Sequence, residues 1–202
     1  IVPSPVNVPG GPEETGHDRV IALPLAAAQP GIWFAGQIDS EAQTFVVAHY
    51  AELDGALDAE LLCRAIRMGL AEADTIHARF ENGEDGPVQS WPSACRPEDI
   101  APPDIIDLTG ETDPAARART LMRADLAAAP APGSEGWLYR HTLVELDAGR
   151  WFWYQRYHHL CVDGYSFAAL TRRIVHIQNA LAAGQTPEPA PFTPFAGVVE
   201  EY

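Results

Sequence analysis

Positive charge is scarce in this chain. Lysine and arginine together number 13, against 28 aspartates and glutamates, for a formal net charge of −15. Net charge therefore offers no attraction to a nucleic-acid backbone or an anionic membrane surface. Long apolar runs are missing too: nothing approaches the ~18 residues of a membrane-crossing helix. Only three cysteines occur, Cys63, Cys95 and Cys161, far apart and odd in number. They read as reduced thiols of a cytoplasmic protein, not as a disulfide framework. No CxxC pair and no HExxH occurs, so the strongest zinc signals are absent and no metal is expected. Pro9-Gly10-Gly11 lacks the lysine of a phosphate loop. Ile1 to Pro12 has neither a basic leader nor an apolar stretch, so it does not read as a signal peptide. Without an initiator methionine, the chain is expected to be processed or trimmed.

What remains suits one domain, or one lobe of a larger one, in 202 residues. Apolar residues make up 47% of the chain, enough to fill a core. Residues 1–19 are rich in proline, glycine and acidic groups and read as a flexible lead-in. A helix is expected from about Leu25, with Pro30 an awkward interior residue. Thr44 to Leu53 reads as a strand. Asp58 caps a helix that ends near Asp74. Thr75 to Phe80 is a short strand candidate, followed by a turn at 81–86 and an antiparallel return over Val88 to Trp91. Ile105 to Leu108 is a small strand.

Asp113-Pro114 starts an alanine-rich helix that runs to about Ala128. Trp137 to Glu145 and Trp151 to Tyr157 form a hairpin around Asp147-Ala148-Gly149. Phe167 to Leu181 is an amphipathic helix with Ser166 as its cap. Residues 20–183 thus read as one α/β lobe, a mixed sheet packed with helices. Residues 184–202 read as a proline-rich linker and the start of a truncated helix.

One segment carries candidate chemistry, Trp151 to Phe167, WFWYQRYHHLCVDGYSF. On extended chain His158 and His159 point to opposite faces, so they do not chelate one metal. Histidine handles protons near neutral pH. Asp163 can buttress the turn or neutralise a buried cation. Gly164 permits a conformation or close approach that a Cβ would block. The alternating Trp151, Phe152, Trp153 and Tyr154 are assigned to core packing, and Arg156 to a structural ion pair. Cys161 paired with His159 as a nucleophile is a weaker alternative.

As a whole, HHLCVDG resembles the HHxxxDG signature of nonribosomal peptide synthetase condensation domains. Ala28-Gln29 with Trp33 is similar to that family's first core motif, and Ala71 to Phe80 to its second. LPLAAAQPGIW at 23–33, VAHY at 47–50, WYQRYHHL at 153–160 and PFTPF at 191–195 extend the likeness over residues 20–202.

The resemblance implies a chloramphenicol acetyltransferase-like lobe, the amino-terminal half of a condensation domain. Such a domain joins an acyl group on an upstream carrier protein to the amine on a downstream carrier domain. Both are thioesters on phosphopantetheine arms, and no cofactor is bound in the lobe itself. The strings above further imply a 2,3-dihydroxybenzoyl donor and a serine acceptor, on the path to a catecholate siderophore. His159 is the implied catalytic residue, with His158, Asp163 and Gly164 holding the site together.

The family arginine that pairs with Asp163 is replaced here by His77, so His77 is expected as its partner. Arg79, two residues along and on the same face if this stretch is a strand, is the alternative partner, and a slightly degraded site is the third reading. A second lobe and an adenylation domain are implied partners, and the fragment alone is expected to be inactive. A chloramphenicol acetyltransferase-type enzyme using free acyl-coenzyme A, and a non-catalytic carrier-docking lobe, are the alternatives.

Overall fold

The structure, a computed structural model, describes residues 19–38 and 44–200. The expected lead-in therefore lies almost wholly outside the described residues. The elements run β1 (Val20–Pro24), α1 (Gln29–Ile38), β2 (Val46–Asp54), α2 (Ala59–Ala71), β3 (Arg79–Gly83), β4 (Gly86–Pro92) and β5 (Asp104–Asp107). They continue with α3 (Pro114–Ala127), β6 (Tyr139–Asp147), β7 (Arg150–His158), α4 (Gly164–Ala182) and α5 (Phe195–Glu200).

Two sheets result. The larger has the order β2-β7-β6-β5, antiparallel except for the parallel pair β5 and β6. Parallel neighbours need a crossover, and α3 supplies it. The smaller sheet is β1-β4-β3, wholly antiparallel. On β6 and β7, alternate residues go to opposite faces. Leu143, Trp153 and Tyr157 pack with Leu62, Ile66 and Leu70 of α2 and with Leu170, Ile174 and Ile177 of α4. Val144, Phe152 and Tyr154 meet Ala118 and Met122 of α3. Both faces of β7 are thus covered, which is why its sequence is aromatic without a polar stripe.

Local chemistry sets the helix starts. Asp58 accepts from the Leu61 N–H at 2.9 Å, and Asp113 from the Ala116 N–H at 2.9 Å with Pro114 following. Arg173, almost fully buried on α4, makes a two-pronged ion pair with Glu72 at 2.7 Å and donates to the Glu188 carbonyl. Past α4 the chain is therefore laid along the lobe. The Phe195 N–H meets the Asp74 carboxylate at 2.9 Å, and its ring stacks edge-on against Trp91.

Several local expectations change. Residues 20–24 form a strand that pairs with β4, so the first helix begins at Gln29, not Leu25. Pro30 then falls in the first turn, where its missing N–H costs nothing. Asp74–His77 is a 3-10 turn and the strand starts only at Arg79. His77 and Arg79 therefore do not share a strand face. Helix α4 begins at Gly164 with Asp163 as its cap, and Ser166 is the cap's partner inside the first turn.

Candidate active site

Strand β7 ends at His158, and the next five residues, the last of them Asp163, turn sharply into α4. Backbone hydrogen bonds hold this turn. The His159 N–H donates to the Phe45 carbonyl at 2.8 Å, the Cys161 N–H to the His158 carbonyl at 2.9 Å, and the Leu160 N–H to Nδ1 of His158 at 3.1 Å. His158 is buried, with its Nδ1 committed as an acceptor. Burial, with the charges of His159 and Arg156 nearby, pulls its pKa down to about 4. It is neutral at physiological pH and serves as a structural peg.

His159 has the other fate. It stands half-buried at the strand end, and its Nδ1 lies 3.2 Å from the Val162 carbonyl. A carbonyl only accepts, so Nδ1 carries a proton and donates it to Val162. An imidazole oriented in this way has the geometry that a general base needs. The expectation that the two histidines part to opposite environments holds.

Asp163 is engaged by its own helix through one carboxylate oxygen. Its Oδ1 accepts from the Ser166 N–H (2.7 Å), the Ser166 hydroxyl (2.7 Å) and the Tyr165 N–H (3.1 Å), while its own N–H donates to Ser166 Oγ at 2.8 Å. The Ser166 donors, followed by that of Tyr165, hold this carboxyl below the usual range.

The expected His77–Asp163 pair is not formed. His77 is buried in its 3-10 turn with Nδ1 3.7 Å from the Cys95 thiol. Its Nε2 lies near the last carbonyls of α2, Leu70 and Ala71, close enough to matter electrostatically but without a formed hydrogen bond. Burial dominates and lowers its pKa, so it is neutral. Arg79 does not reach Asp163 either: it donates to the Gly136 carbonyl at 2.9 Å and covers the Trp137 ring at 4.5 Å. The physical reason is the helix N-terminus itself, which supplies the donors that a cation would otherwise provide.

Gly164 has an ordinary φ, and a Cβ there would meet nothing within 4 Å. No clash inside this lobe requires glycine. Arg156 makes the expected ion pair, with Asp125 at 2.8 Å, and Tyr154 donates to the same carboxylate at 2.9 Å. Burial pushes the Cys161 thiol up to about 12, which removes it as a nucleophile. Two hollows, of about 380 and 440 Å³, lie at Arg140, His141 and Arg156 and at His77, Cys95 and Trp137. Neither includes His159.

Sequence reasoning missed the polar groups behind the site. Trp153 Nε1 donates to His141 Nδ1 at 3.1 Å, so Nε2 of His141 carries the proton that binds Tyr157 Oη at 2.6 Å. Tyr157 and Thr171 both donate to Gln155, whose amide reaches Nε2 of His49 at 3.3 Å. These residues sit inside aromatic strand patterns, and nothing in spacing marks them.

The condensation-domain family model matches residues 21–202. The chain belongs to the condensation-domain family. Enterobactin synthase component F of Shigella flexneri is 48% identical over 180 residues, which cover 89% of this chain and 14% of that protein. Among solved structures, the starter condensation domain of rhizomide synthetase aligns with a TM-score of 0.78 at 31% identity, over 90% of this chain and 43% of that one. The first condensation domain of the calcium-dependent antibiotic synthetase gives a TM-score of 0.79 at 30% identity, over 90% and 44%. This condensation lobe thus spans less than half of each of these two solved chains. Its mixed sheet with helices on both faces is the chloramphenicol acetyltransferase-like half that its motifs imply.

Proposed function

We propose that this lobe carries the reacting histidine of a condensation domain that forms an amide between two carrier-bound thioesters. The observation that carries the reading is His159: half-buried just past the end of β7, fixed through Nδ1 on Val162, with no hydrogen bond to Nε2 among the described residues. The acceptor amine attacks the donor's thioester carbonyl. A C–N bond forms, the C–S bond breaks, and the thiolate of the donor arm leaves. Nε2 of His159 takes or orients the proton that the nitrogen must lose. Alignment of the two arms supplies much of the remaining acceleration. No covalent enzyme intermediate and no bound cofactor is needed; the phosphopantetheine arms belong to the carriers.

The finer reading follows the likeness to component F: 2,3-dihydroxybenzoyl as donor and serine as acceptor, in a cytoplasmic siderophore assembly line. An upstream aryl carrier protein, a downstream carrier domain, a second condensation lobe and an adenylation domain are the partners. The test is amide formation by the full-length protein with loaded carriers. Turnover of the aryl donor on its carrier, lost in His159→Ala, is expected. Equal turnover with the free coenzyme A thioester would favour the chloramphenicol acetyltransferase type instead, and turnover unchanged in His159→Ala would refute the role of His159.

A further inference from the structure

Gln29 opens α1, far from His159 in sequence, yet it is wired to the His159 turn. Its side chain is buried, and all its bonding capacity is used. Oε1 accepts from the Ala26 N–H at 2.8 Å and from Gln89 Nε2 at 2.9 Å. Nε2 donates to Gln89 Oε1 at 3.0 Å and to the Leu160 carbonyl at 2.9 Å. Gln89, fully buried on β4, spends its second N–H on the Pro24 carbonyl at 3.0 Å. The two amides form a closed reciprocal pair, and neither can flip without setting donor against donor and acceptor against acceptor.

A second observation points to the same place. Ala27, two residues before Gln29, has φ of +50°, and it is the only non-glycine residue with positive φ among those described. Alanine in the left-handed region is strained, because its Cβ crowds the backbone carbonyl. The contacts that hold it there are the Gln29 N–H to the Ala26 carbonyl at 3.0 Å and the Ala26 N–H to Gln29 Oε1. The strained turn thus sets Gln29 where one amide spans Gln89 and the Leu160 carbonyl.

We infer that Gln29, braced by Gln89, is a positioning residue for His159. Leu160 lies along the chain between His159 and the acceptor of its ring, the Val162 carbonyl. Two successive peptide units are held there, the His159–Leu160 unit by its N–H on His158 Nδ1 and the Leu160–Cys161 unit by its carbonyl on Gln29 Nε2. Release of the Leu160 carbonyl lets the turn rock, and the Nδ1–H of His159 loses its fixed acceptor. The imidazole then wanders off the line of attack and becomes less basic at Nε2.

This inference rests on His159 being the reacting residue, and the experiment separates the two. Full-length Gln29→Met and Gln89→Met, which remove the donors without burying a charge, are compared with wild type and His159→Ala on loaded carriers. The expected result is kcat lower by ~10- to 100-fold in Gln29→Met, with unchanged KM for both carriers. The acid limb of its pH–rate profile moves to lower pH, which a loss of packing alone does not produce. Gln89→Met shows a smaller fall in the same direction. Should Gln29→Met fail to fold, Gln29→Asn, which keeps the amide but falls short of Leu160, gives the same readings. Loss of turnover in His159→Ala beside an unchanged kcat and pH profile in the Gln29 variants overturns the inference. Full turnover in His159→Ala removes the reading beneath it as well.

Discussion

The Nδ1–H of His159 points at the carbonyl of Val162, 3.2 Å away and three residues on. That bond orients the ring and leaves Nε2 for the proton transfer proposed for this residue. The turn that ends β7 thus sets the direction of the imidazole.

His159→Asn separates these roles. The amide of asparagine reaches where Nδ1 sits and still donates to Val162, but nothing replaces Nε2. Condensation by the full-length protein should fall by ~100-fold or more. The thermal midpoint should stay at the wild-type value. A matched fall in both would mean that His159 acts through structure.

Asp163 behaves as a helix cap. Asp163→Ala should destabilise the fold by about 1 kcal/mol, and Asp163→Asn by a few tenths, because asparagine caps nearly as well. The carboxyl has a lower pKa folded than its ordinary 3.8, owing chiefly to Ser166. Its contribution is therefore complete above pH 4 and is lost as pH falls through the folded value. Urea midpoints for the two variants at neutral pH check the ranking.

Buried neutral histidines make the lobe sensitive to acid much earlier. His158 is held near pKa 4 and His141 near 3, while His49 and His77 are lowered by burial. Each binds its proton more readily unfolded, at about 6.5, than folded. Stability is therefore full above pH 6.5 and declines as pH falls toward 4. Urea unfolding at pH 7.5 and pH 5.0 should show the drop. His158→Asn, whose carbonyl can still accept from Leu160, should show less of it.

Two glycines should answer oppositely to alanine. At Gly69 a Cβ would lie 2.6 Å from Cγ1 of Ile174, between α2 and α4. Gly69→Ala should cost about 1–3 kcal/mol through overpacking. At Gly164 the space is open and φ is ordinary, so Gly164→Ala should leave stability unchanged. Any loss of condensation in Gly164→Ala then reports on something outside this lobe that approaches α4.

Much of this architecture was legible from local chemistry. Asp58 and Asp113-Pro114 announce two helices, and the β6–β7 hairpin follows from its aromatic alternation and Gly149, whose φ of +88° suits glycine. The place of the histidine pair was legible because its setting, the end of an aromatic strand, is local; the glycine that follows opens α4 and makes no turn. What escaped depends on distant segments. Val20–Pro24 is too short to read as a strand until β4 lies beside it. The partner of Asp163 was misread because the first turn of α4 satisfies the carboxylate before any cation is required. Gln29 stood out as a motif residue, yet its partners, Gln89 and Leu160, are visible only in three dimensions.

The bond from Gln29 to Leu160 spans 131 residues of chain, and the pairing of β2 with β7 closes a gap nearly as long. Loops of this size close slowly, because their entropy is spent before the contacts that reward it form. The helices and the β6–β7 hairpin can organise from neighbours alone. The turn that bears His159 cannot, since the Phe45 and Gln29 sides of its frame emerge from the ribosome long before the histidine does. On refolding, recovery of the His159 environment should therefore trail recovery of helical signal, and competence for chemistry should be among the last properties the lobe acquires.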